Sequence, residues 1–148
     1  MLFLCHGNLY RSPYAAAAFK RALTAMRSSA PIRLASAGFI APGCPVPAAA
    51  LSVARVRGID LSSHVSTLVT ADAVGSAELV AVMSEDQARG LRSRYGSGVT
   101  IVVLGDLDPL SIEGRTIPDP VGHDDQLLEQ VYSRIDRCVE QLAELVAR

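Results

Sequence analysis

Four short apolar runs, at residues 2–4, 32–36, 79–83 and 100–104, are separated by segments that carry the marks of helices. This alternation constrains the fold more than any other feature of the chain. Strands that are apolar throughout need cover on both faces, and strands joined through helices run parallel with right-handed crossovers. The pattern predicts an α/β fold, a small doubly wound four-stranded parallel sheet with helices on both faces. At 148 residues the chain has the length of one compact domain, and residues 1–148 are read as a single one.

The helix signals are local. Ser12 and Pro13 read as N-cap and first helical residue of an alanine-rich helix reaching about Arg27. Pro47 opens a second helix to Arg57, with Gly58 placed to end it in a left-handed conformation. Ser84, followed by Glu85 and Asp86, caps a third helix through about Ser93. Beyond a long loop over 105–124, Leu127, Leu128, Val131, Ile135, Val139, Leu142 and Leu145 recur at helical spacing and mark a long amphipathic helix.

Composition narrows the function. Fourteen basic against fifteen acidic residues supply no general field for gripping a nucleic acid, so none is expected as a partner. Residues 34–54 are uncharged and have the span of a bilayer, but Gly38, Pro42, Gly43, Pro45 and Pro47 rule out a continuous helix there. The apolar stretch before Cys5 is too short for a secretory signal, and three cysteines without framework spacing argue for reduced thiols. The expectation is a cytoplasmic monomer with no membrane association, no cofactor and no metal.

One segment concentrates chemistry. Cys5-His6-Gly7-Asn8-Leu9-Tyr10-Arg11-Ser12-Pro13 lies where the first strand hands over to the first helix, and there backbone N–H groups and the helix dipole converge on an anion. Gly7 and Asn8 tolerate the left-handed angles that curl a loop inward, and Arg11 offers a planar fork for two phosphoryl oxygens. Such a loop can hold a dianion without a metal. A thiol in that setting is favoured as thiolate, the nucleophilic form. Ser12 is placed both to cap the helix and to donate to the Cys5 sulfur. A strand-end cysteine alone would be a packing residue; the strand end, the Gly-Asn turn, the arginine six residues on and the helix start together serve one mechanism.

The segment resembles the signature loop of the low-molecular-weight protein tyrosine phosphatases, C-x5-R-S-P with Gly-Asn inside it. The resemblance covers essentially the whole chain, through Ser36-Ala37-Gly38, Gly58-Ile59-Asp60-Leu61-Ser62-Ser63-His64 and Ile117-Pro118-Asp119-Pro120, in order and at suitable spacing. It implies a phosphomonoesterase acting on phosphorylated proteins or aryl phosphates. Cys5 would be the nucleophile, Arg11 would hold the phosphoryl group with the loop residues His6, Gly7, Asn8, Leu9, Tyr10 and Ser12, and Asp119 would be the general acid and base. Asp108-Pro109 is the competing Asp-Pro pair, disfavoured because it sits close to the fourth strand. By the same resemblance Asn8, Ser36 and His64 form a supporting hydrogen-bond network. His6 and His123 are read as solvent-exposed loop residues.

The sequence departs from the family pattern in places. Many members carry a second cysteine where this chain has Tyr10, so protection of the nucleophile through that disulfide is absent. Val121-Gly122 replaces the usual aromatic after the Asp-Pro pair, leaving Phe39 or Ile40 to wall the substrate slot. Leu9 fits the tyrosine-directed members, whereas the arginine-phosphatase branch tends to have threonine there. Two alternatives remain: an arsenate reductase of the same fold, which would need Cys44 and Cys138 to relay a disulfide, and a non-catalytic phosphate- or phosphotyrosine-binding module.

Overall fold

In the computed structural model, which describes residues 1–110 and 114–148, four parallel strands form one sheet in the order β2-β1-β3-β4. They are β1 (Leu2–Cys5), β2 (Ala35–Gly38), β3 (Val80–Val82) and β4 (Ile101–Val103). Helices α1 (Arg11–Ala25), α2 (Ala48–Val56), α3 (Ala71–Ser76), α4 (Glu85–Tyr95) and α5 (Asp125–Val146) connect and cover them. A 3-10 turn at Leu104–Leu107 follows β4. Alternate strand residues feed two apolar clusters. Phe3, Cys5, Ala81 and Met83 face a core built with α1, α2 and α5, while Leu2, Leu4, Val80 and Val82 face a smaller one with α3 and α4. The expected doubly wound sheet is the observed one.

Because β1 pairs with β2 on one side and β3 on the other, the chain reverses its direction of winding at β1. Ligands of open parallel sheets gather beyond the carboxyl end of the strand at such a switch point. Cys5 is the last residue of that strand.

Several boundaries differ from the sequence reading, for physical reasons. Ser12 is not an N-cap. The helix begins at Arg11 after Tyr10, which makes no side-chain cap, and Pro13 is its third residue. The first-turn amide of Ser12 points at the Cys5 sulfur, so the thiol does the work expected of a capping oxygen. The second strand runs over Ala35–Gly38 instead of 32–36, because its register with β1 pairs Leu2 with Ala35 and Cys5 with Gly38. Ile32 and Leu34 pack against the core before the strand starts. Gly38 is required by close approach: a Cβ there would lie 2.9 Å from Asn8 N. Gly58 takes the left-handed φ of 77° after α2, as expected.

Helix α3 has only six residues, too few for a periodic signal, although Thr70 caps it by accepting from Ala73 N. Within the loop expected over 105–124, residues 111–113 lie outside the described ones. Ser84 and Asp124 each cap their helices, and α5 carries its apolar stripe against α1. None of the described helices is long and apolar enough to cross a membrane.

Candidate active site

The Cys5 sulfur is buried at the end of β1 and surrounded by donors. It receives the N–H of Asn8 at 3.2 Å and that of Ser12 at 3.4 Å, and lies 3.0 Å from Ser12 Oγ. Two amides four residues apart that turn toward one atom need a curl in the chain between them. Asn8 supplies it with φ 54°, whereas Gly7 does not use the left-handed region. A non-glycine residue in that conformation persists where its surroundings over-determine it.

Asn8 is fully buried and every polar group on it is engaged. Its Nδ2 donates to Ser12 Oγ at 2.8 Å and to Ser36 Oγ at 3.0 Å, and its Oδ1 accepts from Thr67 N at 3.0 Å. His64 Nε2 lies 2.8 Å from the Asn8 carbonyl. A carbonyl only accepts, so the proton sits on Nε2. The structure thus brings together Asn8, Ser36 and His64 and adds Thr67, whose part is a backbone amide and left no mark in the sequence.

Arg11 is nearly buried. Its Nη1 donates to the carbonyl of Ile117 at 3.0 Å, and its Nη2 lies 3.1 Å from Asp119 Oδ2. Among the described residues its Nε, also buried, has no hydrogen-bond partner. Asp119 is 39% exposed, and its Oδ1 accepts from Val121 N at 3.2 Å in a tight turn between two prolines. The arginine fork and the carboxylate therefore meet beside the loop. Asp108 is placed elsewhere. Its carboxylate is paired with Arg137 by two bonds of 2.9 Å and with Arg134 Nε at 3.1 Å, and the Arg137 hydrogen bonds hold it below the usual carboxylate range.

Behind the loop stands a pair of tyrosines. Tyr14 and Tyr132 stack with centroids 3.8 Å apart and planes 7° from parallel. Tyr132 donates its hydroxyl to the Tyr10 carbonyl at 2.9 Å. The Tyr14 hydroxyl binds the Asp136 carboxylate, which also pairs with Arg21 at 2.9 Å and Arg57 at 3.1 Å. Burial pushes both phenols well above the usual tyrosine range, so each remains a donor. The sequence held one signal for this pair: position 132 lies on the apolar stripe of α5, and a tyrosine there needs a partner for its hydroxyl.

His6 is exposed, and Leu9 and Tyr10 are half-buried. His123 is exposed in the turn after Pro120. Of the residues expected to wall the slot, Phe39 packs against the smaller core, while Ile40 and Val121 are exposed. All three cysteines are free; Cys44 is half-buried, and burial in α5 pushes the Cys138 thiol up to about 12. Among the described residues no group of three or more His, Cys, Asp or Glu is placed to hold a metal ion.

An α/β sheet with a thiol, an arginine and a carboxylate gathered at the switch point defines a class, proteins that bind an oxyanion against a sulfur at a strand-to-helix turn. The family model described as low molecular weight phosphotyrosine protein phosphatase matches residues 1–148, and the chain belongs to that family of phosphatases. A probable low molecular weight protein-tyrosine-phosphatase, EpsP of Ralstonia solanacearum, is 30% identical over 142 residues, which is 95% of this chain and 90% of the relative. The human low molecular weight phosphotyrosine protein phosphatase is 30% identical over 150 residues, covering 97% and 93%. Among solved structures, the low molecular weight protein tyrosine phosphatase of T. tengcongensis superposes with a TM-score of 0.85 at 28% identity, covering 97% of each chain. The arginine phosphatase YwlE, in a form with a phosphorylated active-site serine, gives 0.86 at 25% identity, covering 98% of this chain and 93% of that one.

Proposed function

We propose that the protein is a protein-tyrosine phosphatase that works through a phosphocysteine. The observation that carries this reading is the convergence of Asn8 N, Ser12 N and Ser12 Oγ on the Cys5 sulfur, with the buried Arg11 fork beside it. Donors aimed at the sulfur favour its nucleophilic form, and the loop's remaining amides, with the Arg11 fork, hold the equatorial oxygens of a phosphoryl group as charge redistributes. In the first step Cys5 Sγ attacks phosphorus in line, and the bond from phosphorus to the aryl oxygen breaks. Asp119 gives its proton to that leaving oxygen. In the second step Asp119 takes a proton from water, whose oxygen attacks phosphorus and releases the cysteine.

The Arg11–Asp119 pair fits this sequence. An arriving phosphoryl group draws the guanidinium to itself and satisfies the Nε that has no partner among the described residues, which frees the Asp119 carboxyl to face the leaving oxygen. The arsenate-reductase alternative is disfavoured by Cys138, because a thiol raised to about 12 by burial is a poor relay nucleophile. A non-catalytic binding module would have no use for Asp119 at the cradle.

One observation favours a second substrate, phosphoarginine, namely the likeness to YwlE. Leu9 weighs toward tyrosine. The test is phosphate release from para-nitrophenyl phosphate, a phosphotyrosine peptide and a phosphoarginine peptide by wild type, Cys5→Ser and Asp119→Asn. Turnover favouring the tyrosine peptide is expected, with none in Cys5→Ser. In Asp119→Asn it should fall roughly 10²- to 10⁴-fold while vanadate still binds. Full activity in Cys5→Ser would overturn the covalent mechanism, and preference for the arginine peptide would reassign the substrate.

A further inference from the structure

The loop is held from one side by the Asn8 network, but its far end, the peptide between Tyr10 and Arg11, is held by something else. Tyr10 precedes the helix without a side-chain cap, and its carbonyl receives the Tyr132 hydroxyl at 2.9 Å. In a trans peptide the C=O and the following N–H point in opposite directions. Fixing the Tyr10 carbonyl toward α5 therefore fixes the Arg11 N–H toward the opposite side. That is the direction of the next amide in the helix, Ser12 N–H, which meets the Cys5 sulfur at 3.4 Å. Among the described residues the Arg11 N–H has no protein acceptor.

The phenol that does this is itself immobilised. Its ring lies flat against Tyr14, whose hydroxyl is tied to Asp136, and Asp136 is gripped by Arg21 from α1 and by Arg57 just after α2. Side chains from α1, from α5 and from the end of α2 thus hold the Tyr14 ring that Tyr132 stacks on, and the Tyr132 hydroxyl acts on one carbonyl of the loop. We propose that Tyr132 is a positioning residue for the oxyanion cradle, aiming the Arg11 amide, and with it the root of the Arg11 side chain, at the phosphoryl group. This rests on the phosphatase reading above. Tyr132 touches no substrate and acts through Tyr10 and Arg11.

Tyr132→Phe keeps the ring and the stack and removes only the hydroxyl. The loss of one directing hydrogen bond should weaken inhibition by vanadate and lower kcat/KM on para-nitrophenyl phosphate by roughly 3- to 10-fold each. The dependence of rate on leaving-group basicity should stay as in wild type, because Asp119 is untouched. Tyr14→Phe is the comparison, since it also keeps the stack but loses the link to Asp136. Tyr14→Phe leaves the Tyr132 hydroxyl on the Tyr10 carbonyl and only slackens the ring behind it, so it should weaken vanadate less than Tyr132→Phe does; an equal loss would mean that the bond to Tyr10 is not what aims the cradle, and the assignment is overturned. Unchanged vanadate affinity in Tyr132→Phe overturns it as well. Wild type that neither binds vanadate nor turns over would remove the phosphatase reading and this one together, whereas an active wild type with an unaffected Tyr132→Phe removes this one alone.

Discussion

Replacing Gly38 by alanine tests whether the cradle depends on how closely β2 approaches it. A methyl at Gly38 would lie 2.9 Å from the N and Cβ of Asn8 and 3.0 Å from the carbonyl carbon of Gly7. Comfortable contacts between such atoms fall near 3.5–4.0 Å, so strand and loop must part by roughly 0.5–1 Å. Neither side yields easily. The strand is locked in register with β1 through four residue pairs, and Asn8 is held through its side chain by Ser12, Ser36 and Thr67. Overpacking of this kind costs about 1–3 kcal/mol. In a chain of this size each kcal/mol lowers the thermal midpoint by about 2–4 °C, so a fall of roughly 2–12 °C is expected. The Asn8 amide that meets the sulfur moves with the loop, and a misplacement approaching 1 Å reduces turnover by up to about 10²-fold. The assay is a thermal melt and kcat/KM on para-nitrophenyl phosphate, with Gly90→Ala as control, where a methyl meets nothing within 4 Å. A Gly38→Ala protein equal to wild type in both midpoint and turnover would refute the argument.

Two further outcomes follow from charged and buried groups. Asp108 is held below its ordinary value of 3.8, chiefly by hydrogen bonds from Arg137, so the unfolded chain binds its proton more readily than the folded one. Its contribution to stability is therefore complete above about pH 4 and is lost as pH falls through the folded value; denaturation midpoints from pH 6 down to 3 should show this drop, and Asp108→Asn, destabilised at neutral pH, should show less of it. Cys138, raised to about 12 by burial, should resist alkylation at pH 8 in the folded protein and react once unfolded, as read by mass spectrometry of the labelled peptides. Labelling of native Cys138 at the rate of a free thiol would remove the argument against a cysteine relay.

The parts of the fold that could be read from sequence were those whose signal is local. Three of the four apolar runs coincide with strands to within a residue or two, and Ser84 stands in the sequence where it caps in the structure. The second run starts before its strand because Ile32 and Leu34 are as apolar as strand residues, and only pairing with β1 decides that the ladder begins at Ala35. Ser12 departs from its local signal for a related reason. A serine before a proline at a helix start looks like a cap, but the sulfur seven residues earlier occupies the place a capping oxygen would take, so the hydroxyl is free to bind the sulfur and accept from Asn8. Thr67 and Ile117 act on the site through a backbone amide and a carbonyl, which leave no pattern in sequence, while Tyr132 acts through a phenol at a core position, whose need for a partner the sequence shows without saying which partner it finds.

That division has a physical origin. Residues that would meet a phosphoryl group must lie within a few ångströms of one another, and the loop achieves this by being contiguous, from Cys5 to Ser12. The left-handed backbone at Asn8 is tolerated by asparagine but not favoured in a free chain, so a loop with this sequence would not hold its shape alone. What holds it comes from distant segments: Ser36 within β2, His64 and Thr67 in the connection after α2, and Tyr132 on α5. Each supplies a hydrogen bond to the loop, and together they fix its amides before any ligand arrives. A cradle ordered in advance spends none of the binding free energy on its own ordering, so the attraction between amides, guanidinium and oxyanion is available to the transition state. Weakening a distant support should therefore lower catalysis through the cradle's geometry while every residue that touches substrate remains in place.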